Sequence, residues 1–201
     1  MTLQELLLNK RLVLASASPR RQQLIQGLDV SFDVVKLAGH DETFPAGLRQ
    51  QEIAEYLALS KARHYLSHHP ASDDMVIITA DTIVWFDNTV LNKPRNQQEA
   101  LEMLHKLSGN IHEVYTGVCL TYRNHHKIFS SLSKVEFATL EDDEIDYYIA
   151  QYQPYDKAGS YGAQEWIGYV AIKRIEGSFF NVMGLPVRQV YAELKEMLKN
   201  G

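Results

Sequence analysis

The sequence has very little cysteine and no long apolar stretch. Cys119 is the single cysteine among 201 residues, so no disulfide can form within the chain, and a reducing compartment fits best. No run approaches the roughly 18 apolar residues that a membrane span requires. The opening residues, MTLQELLLNKR, lack the basic leader and the small-residue cleavage site of a secretory signal. These absences predict a soluble protein of the cytoplasm.

The chain also lacks an excess of basic residues. Lysine and arginine together number 20 against 25 acidic residues, which gives a net charge of −5 at pH 7. General nucleic-acid binders and membrane-surface binders usually carry a basic excess, so we expect neither nucleic acid nor a membrane among the partners. Any site for an anion must therefore be local and built from a few placed cations.

The hydrophobic content of 45% is enough for one substantial core. No internal repeat, low-complexity tract or interdomain linker is evident, which predicts a single domain over residues 1–201. Apolar periodicity predicts strands at residues 11–15, 30–37, 75–86 with an interruption at 80–82, 89–91, 112–123, 127–139 and 166–175. It predicts helices at residues 19–28, 49–68, 96–109, 141–152 and 187–198, and a loop at 176–184. This alternation indicates an α/β fold with a mixed sheet.

Two well-known site motifs are missing. The phosphate-binding pattern GxxxxGK[ST] is absent, and so is HExxH, although His64 and His68 are four residues apart. His64 and His68 are more typical of a polar helix end than of a metal site.

A basic turn stands near the start, in the stretch LVLASASPRRQQLIQGL. A buried strand is followed by Ser16 and Ser18, and a helix then begins with a proline, Arg20 and Arg21. A helix start presents unpaired N–H groups, and serine and arginine add donors that suit phosphate oxygens. The turn is therefore either an anion cradle or an ordinary Ser-Pro helix start with two solvated arginines.

Asp81 lies inside the strongly apolar stretch IITADTIV. A carboxylate buried there without a partner costs several kcal/mol, on the order of what a lost buried ion pair costs. Its partner could be a cation, a bound Mg²⁺ or a water molecule that it activates; alternatively, Asp81 bonds to local backbone in a bulge. Thr82 beside it either positions a ligand or is a simple strand former.

Further candidates lie on loops and on one helix. Lys93 follows a hairpin in LNKPRN, and Glu42 lies in the loop GHDETF. Lys61 falls on the apolar face of its helix, where it either has a buried partner or extends along the apolar surface to water. In DKAGSYGAQ, the glycines would let the backbone approach a ligand closely, and Lys157 supplies a cation. The Gln164 amide could form hydrogen bonds with the polar edge of that ligand.

The motifs LASASPRR, ADTIV, NKPRN, LSGNIHEVYTGV, DKAGSYGAQ and GSFFNVMGLPV, taken in order over residues 11–187, resemble the Maf family of nucleoside triphosphate pyrophosphatases. The resemblance implies an α/β fold with an elongated mixed sheet flanked by helices and two lobes around a central cleft. It also implies hydrolysis of a nucleoside triphosphate to the monophosphate and pyrophosphate, a divalent metal cation (Mg²⁺ or Mn²⁺), and a homodimer.

The resemblance also implies roles for single residues. Asp81 corresponds to the family's general base, and Glu42 and Asp81 to metal-handling positions. Ser16, Arg21, Lys61 and Lys93 match positions that handle phosphate and metal, and Arg20, Thr82 and Gln164 match positions that contact the substrate. The motifs themselves add Ser18 and Lys157 as further candidates for substrate binding. Among these, Arg20, Thr82 and Gln164 match the branch that acts on dTTP and UTP.

This sequence departs from the family pattern at two places: Glu165 follows Gln164 where glycine is usual, and Asn92 precedes Lys93 where glycine or glutamate is usual.

Two alternative functions remain open at this point. The first is a regulatory protein of septum formation and cell division that binds nucleotides without turnover. The second is a Maf-type pyrophosphatase that acts on 7-methyl-GTP. Because a pure sensor needs no base, the coexistence of Asp81 with several cations favours catalysis.

Overall fold

The structure is a computed structural model that describes residues 1–70, 72–123 and 125–200. The helices, in chain order, are α1 (Leu3–Leu6), α2 (Pro19–Gln26), α3 (Gln51–His68), α4 (Gln97–Leu107), α5 (Asp142–Tyr152), α6 (Trp166–Ala171), α7 (Phe179–Met183) and α8 (Val187–Asn200). The strands are β1 (Arg11–Leu14), β2 (Asp33–Val34), β3 (Met75–Phe86), β4 (Thr89–Leu91), β5 (Ile111–Tyr122), β6 (His125–Phe137) and β7 (Ile172–Glu176). A short 3₁₀ turn covers Ala158–Ser160.

The strands form one mixed sheet. Its order is β2-β1-β3-β5-β6-β7, and β4 pairs with β3 off this path. β1 is parallel to both β2 and β3, which fits the helical crossovers that connect them. β3 with β4, and β6 with β7, are antiparallel. The prediction of an α/β fold with a mixed sheet is confirmed.

The chain divides into two compact units. The first comprises Met1–Asp81, Thr116–Ser131 and Gly184–Gly201, and the second comprises Thr82–Tyr115 and Leu132–Met183. β3, β5 and β6 each contribute residues to both units. The prediction of a single domain over the whole chain stays a prediction.

Each unit has apolar clusters of its own. In the first unit, Val13, Tyr65 and Ile77 pack between β1, α3 and β3. Cys119 is buried against Ala58 and Ala62 of α3. The second unit has a core to which α4, α5 and α6 contribute buried side chains.

A buried polar pair lies inside the second unit. The His112 ring and the Tyr161 hydroxyl are 2.7 Å apart in a cluster with Phe137. Burial lowers the pKa of His112 to about 3, so the ring stays neutral and the pair holds the chain after the 3₁₀ turn against β5.

Two local predictions were wrong. The predicted strand at 166–175 begins as helix α6, and only its second half is strand β7. Ile167 and Ala171 are buried four residues apart, which is helical spacing, and a short apolar run does not distinguish the two structures. The predicted loop at 176–184 contains helix α7, whose start is capped by Ser178: its Oγ accepts from the Asn181 backbone N–H at 3.4 Å.

The predicted interruption of β3 at 80–82 is also wrong, because β3 is continuous through Asp81. Asp81 therefore lies within a continuous strand and not in a break between two strands. In the part of the chain that the structure describes, no helix combines the length and the apolar character that crossing a membrane would need.

Candidate active site

The basic turn connects β1 to α2 in the first unit. Ser18 is the N-cap of α2: its Oγ accepts from the Arg21 backbone N–H at 3.5 Å, and Pro19 occupies the first turn. The Ser16 hydroxyl accepts from the Ser18 backbone N–H at 3.3 Å and is almost fully buried. Local hydrogen bonds thus form the turn that the sequence predicted.

Arg21 is not a solvated arginine. Its Nε donates to the Gly184 carbonyl oxygen at 2.8 Å, and its Nη1 donates to the Ser16 hydroxyl at 3.4 Å. Burial lowers the pKa of Arg21, and the carboxylates of Asp81 and Glu42 act in the opposite direction. The guanidinium is therefore fixed in place and within electrostatic reach of two acids. Arg20, one residue earlier, is half-buried.

Asp81 and Glu42 converge on one ammonium group. Lys61 Nζ donates to Asp81 Oδ1 and, at 2.8 Å, to Glu42 Oε1. The side chains of Lys61 and Asp81 are each only 11% exposed, whereas that of Glu42 is 46% exposed. Lys61 therefore lies on the apolar face of its helix because its partners are there, and the buried charge of Asp81 is compensated by this cation.

Packing between α3 and β3 brings Lys61 to Asp81. Thr79 and Asp81 share one face of β3, since alternate strand residues point the same way. The Thr79 hydroxyl donates to the Ala58 carbonyl oxygen of α3 at 2.7 Å, three residues before Lys61. On β5, Gly117 lies so close to α3 that a Cβ atom there would be 2.2 Å from the Ala54 carbonyl carbon. These backbone approaches set the distance between the two charged side chains.

Histidines hold the loop that carries Glu42. The His40 ring Nε2 and the Ser60 hydroxyl are 3.0 Å apart, and His64 Nε2 lies 2.9 Å from the Ala38 carbonyl oxygen. Burial and the Lys61 charge lower the pKa of His40. These two contacts hold the loop that carries Glu42 against α3, close to Lys61.

The remaining predicted residues belong to the second unit. Thr82 is half-buried directly after Asp81, and Lys93 is exposed after β4. Lys157 is buried: its ammonium forms ion pairs with Asp156 at 2.7 Å and with Glu165 at 3.1 Å. Gln164 is half-buried, and its Oε1 has no hydrogen-bond partner. A buried amide oxygen of this kind is an acceptor that a ligand can use.

Sequence reasoning missed three contacts around these residues. The Gly184 carbonyl orients Arg21 from 163 positions away along the chain. The Tyr148 hydroxyl donates to Glu165, and it accepts from the Gly162 backbone N–H at 3.0 Å. The sequence marked this part of the chain by the motif DKAGSYGAQ and by Glu165, but no sequence signal pointed to Tyr148.

Comparison with known families gives one match over most of the chain. The family described as "Maf-like protein" matches residues 11–197. Every predicted site residue lies within that range.

Curated relatives are similar over nearly their whole length. A dTTP/UTP pyrophosphatase of Porphyromonas gingivalis is 52% identical over 186 residues, which is 92% of this chain and 94% of the relative. A protein of the same name from Phocaeicola vulgatus is 52% identical over 188 residues, with 93% and 96% covered. Another from Bacteroides thetaiotaomicron is 50% identical over 187 residues, with 93% and 96% covered.

Proposed function

The chain belongs to the Maf family, and from this membership we propose that it hydrolyses dTTP and UTP to the nucleoside monophosphate and pyrophosphate. The observation that carries the proposal is the convergence of the Asp81 and Glu42 carboxylates on Lys61, with Arg21 in electrostatic reach. A buried carboxylate surrounded by cations suits the binding of a polyanion and the activation of water beside it.

The cations of the site would hold the triphosphate. Attack on a phosphoryl group needs positioning and charge neutralisation more than covalent assistance. Arg21 is held on its Nε side by the Gly184 carbonyl, so its planar group has a fixed orientation for phosphate oxygens. Ser16, Ser18, Arg20, Lys61 and Lys93 are assigned to the phosphates and the leaving pyrophosphate.

Asp81 would accept the proton of the attacking water. The water oxygen forms a bond to the α-phosphorus, the bond from this phosphorus to the oxygen bridging it to the β-phosphorus breaks, and pyrophosphate leaves with that oxygen. Asp81 is buried and its carboxylate pairs with the Lys61 ammonium, so it is held in position for this task.

Glu42 and Asp81 are also the residues that would hold a divalent metal cation. Their oxygens already converge on one cationic nitrogen, and Mg²⁺ is commonly bound by one or two carboxylates together with substrate phosphates. Over residues 1–70, 72–123 and 125–200, no group of three or more His, Cys, Asp or Glu is arranged around a metal position. The donor set therefore fits a cation shared with the substrate. Bound Mg²⁺ or Mn²⁺ would neutralise and polarise the triphosphate.

Gln164, Thr82 and Arg20 would read the base. The unpartnered Gln164 Oε1 is an acceptor, and thymine and uracil carry a donor at N3, where cytosine carries an acceptor. This chemistry favours dTTP and UTP over CTP. Lys157 was predicted to bind substrate; its pairing with two carboxylates favours a role in holding the loop instead.

Incubation of the protein with each nucleoside triphosphate and Mg²⁺, followed by identification of the products, tests the proposal. We expect the monophosphate and pyrophosphate, with dTTP and UTP turned over fastest. Saturable binding without release would favour the regulatory nucleotide binder, and fastest turnover of 7-methyl-GTP would favour the other Maf branch. Release of the diphosphate and phosphate would overturn the reaction type.

Gln164→Ala should lower turnover of dTTP relative to CTP and GTP by about tenfold, the scale of one lost hydrogen bond to the base. The measurement is kcat/KM for the three nucleotides. Gln151→Ala on the exposed side of α5 is the matched control and should leave the ratios unchanged. Equal ratios in wild type and Gln164→Ala would remove Gln164 from base recognition.

Two finer expectations stay predictions: a cytoplasmic location and a homodimer. Sedimentation of the purified protein tests the second of these.

A further inference from the structure

We propose that Glu165 is a positioning residue that holds Gln164 ready to recognise the base. This inference rests on the proposed function, because it assigns to Glu165 a part in the selectivity of the same site. Glu165 directly follows Gln164 and is the N-cap residue of α6.

The Glu165 carboxylate joins two buried groups. One oxygen, Oε1, is 3.1 Å from the Lys157 ammonium, and the other, Oε2, accepts from the Tyr148 hydroxyl. Lys157 is 7% exposed and Tyr148 is fully buried on α5. The Tyr148 hydroxyl also accepts from the Gly162 backbone N–H at 3.0 Å. The Glu165 side chain thereby connects helix α5 to both ends of the loop at residues 157–165.

The backbone around Gln164 is packed without spare room. A Cβ atom on Gly162 would lie 2.8 Å from the Glu165 carboxyl carbon, and one on Gly168 would lie 1.9 Å from the Ala163 carbonyl oxygen. The Glu165 backbone N–H donates to the Gly162 carbonyl at 2.9 Å, and its carbonyl accepts from Gly168 at 2.8 Å. Gln164 therefore lies between Ala163, which is closely packed against Gly168, and Glu165, whose backbone is hydrogen-bonded on both sides.

The contacts of Glu165 with Lys157 and Tyr148 offset the free-energy cost of leaving the buried Gln164 Oε1 without a hydrogen-bond partner. A buried acceptor without a partner is unfavourable, and a flexible loop would move it towards water or towards a local donor. The ion pair with Lys157 and the bond from Tyr148 keep the loop in the arrangement that presents Oε1 to a ligand. A glycine in place of Glu165 would leave the Tyr148 hydroxyl and the Lys157 ammonium without this carboxylate.

Two variants separate positioning from chemistry. Glu165→Gln keeps the size and an acceptor for Tyr148 but removes the charge that pairs with Lys157. Tyr148→Phe keeps that ion pair and removes the donor. Tyr147→Phe changes a half-exposed tyrosine of the same helix and is the matched control. For each protein, kcat and KM are measured with dTTP and with CTP, and the fold is checked by circular dichroism.

We expect KM for dTTP to rise about tenfold in Glu165→Gln and in Tyr148→Phe, with kcat changed less than about threefold, because the lost contacts order the base-reading loop and not the phosphate groups. The preference for dTTP over CTP should fall in parallel, and Tyr147→Phe should match wild type. A loss confined to kcat, an unchanged preference, or failure of both variants to fold would overturn the proposal.

Binding of dTMP and dCMP by calorimetry keeps this test separate from the proposed reaction. If wild-type protein releases no pyrophosphate from any nucleotide, the proposed function fails, and the ratio of the two dissociation constants still tests Glu165. A ratio that is the same in wild type and in both variants would remove Glu165 from base positioning, even where turnover is normal.

Discussion

Asp81→Asn should lower the rate of pyrophosphate release from dTTP by about 10²–10⁴-fold, the contribution typical of a general base. Asparagine has the same size but cannot accept the proton of the attacking water at neutral pH. It also removes one of the two carboxylates that converge on Lys61. The protein should still fold, because Glu42 continues to pair with the buried ammonium. The measurement is kcat at saturating dTTP, together with a thermal unfolding curve.

Asp73→Asn provides the control for this experiment. Asp73 is exposed just before β3, so the same chemical change there should leave both the rate and the stability unaltered. A rate for Asp81→Asn within a few-fold of wild type would contradict the assignment of Asp81. A large fall in the unfolding temperature would attribute the lost activity to the fold instead.

The residues of the basic turn could be predicted from the sequence because their structure is local. A serine N-cap followed by proline at the first helical position is a short-range signal, and Ser18 and Pro19 occupy these places. The two candidates Lys61 and Asp81 could also be singled out, since a charge within an apolar pattern demands a partner. That each is the partner of the other could not be predicted, because their contact depends on how α3 packs on β3.

One failure has a local cause and the other arises from tertiary packing. The residues 166–171 are apolar and suit a strand by composition, but the backbone around Gly168 closes on Ala163 in a helical turn. The bond between Tyr148 and Glu165 joins residues 17 positions apart on different elements, and neither residue type signals the other. Pair contacts of this kind become visible only when the elements are placed in space.

Lys61→Met should lower kcat for dTTP by about 10²–10³-fold. The cluster of Glu42, Lys61 and Asp81 has one ammonium against two carboxylates. Removal of the ammonium leaves two like charges close together without the cation on which they converge. Their repulsion should displace the Asp81 carboxylate from the position in which it accepts the proton of water, and the triphosphate loses one of the cations assigned to bind it.

Two further variants serve as controls. Lys61→Arg tests whether a positive charge at this position is sufficient, and Lys106→Met tests whether loss of a lysine elsewhere has the same effect. Arginine restores the cation and should return part of the lost kcat, although its planar group fits two converging carboxylates differently from an ammonium. Lys106 is an exposed lysine of α4, and its replacement should leave the rate unchanged. A kcat for Lys61→Met within a few-fold of wild type would contradict the assignment of Lys61 to the site. Partial recovery in Lys61→Arg means that the positive charge itself holds the Asp81 carboxylate in place, which couples the phosphate-binding charge to the group that activates water.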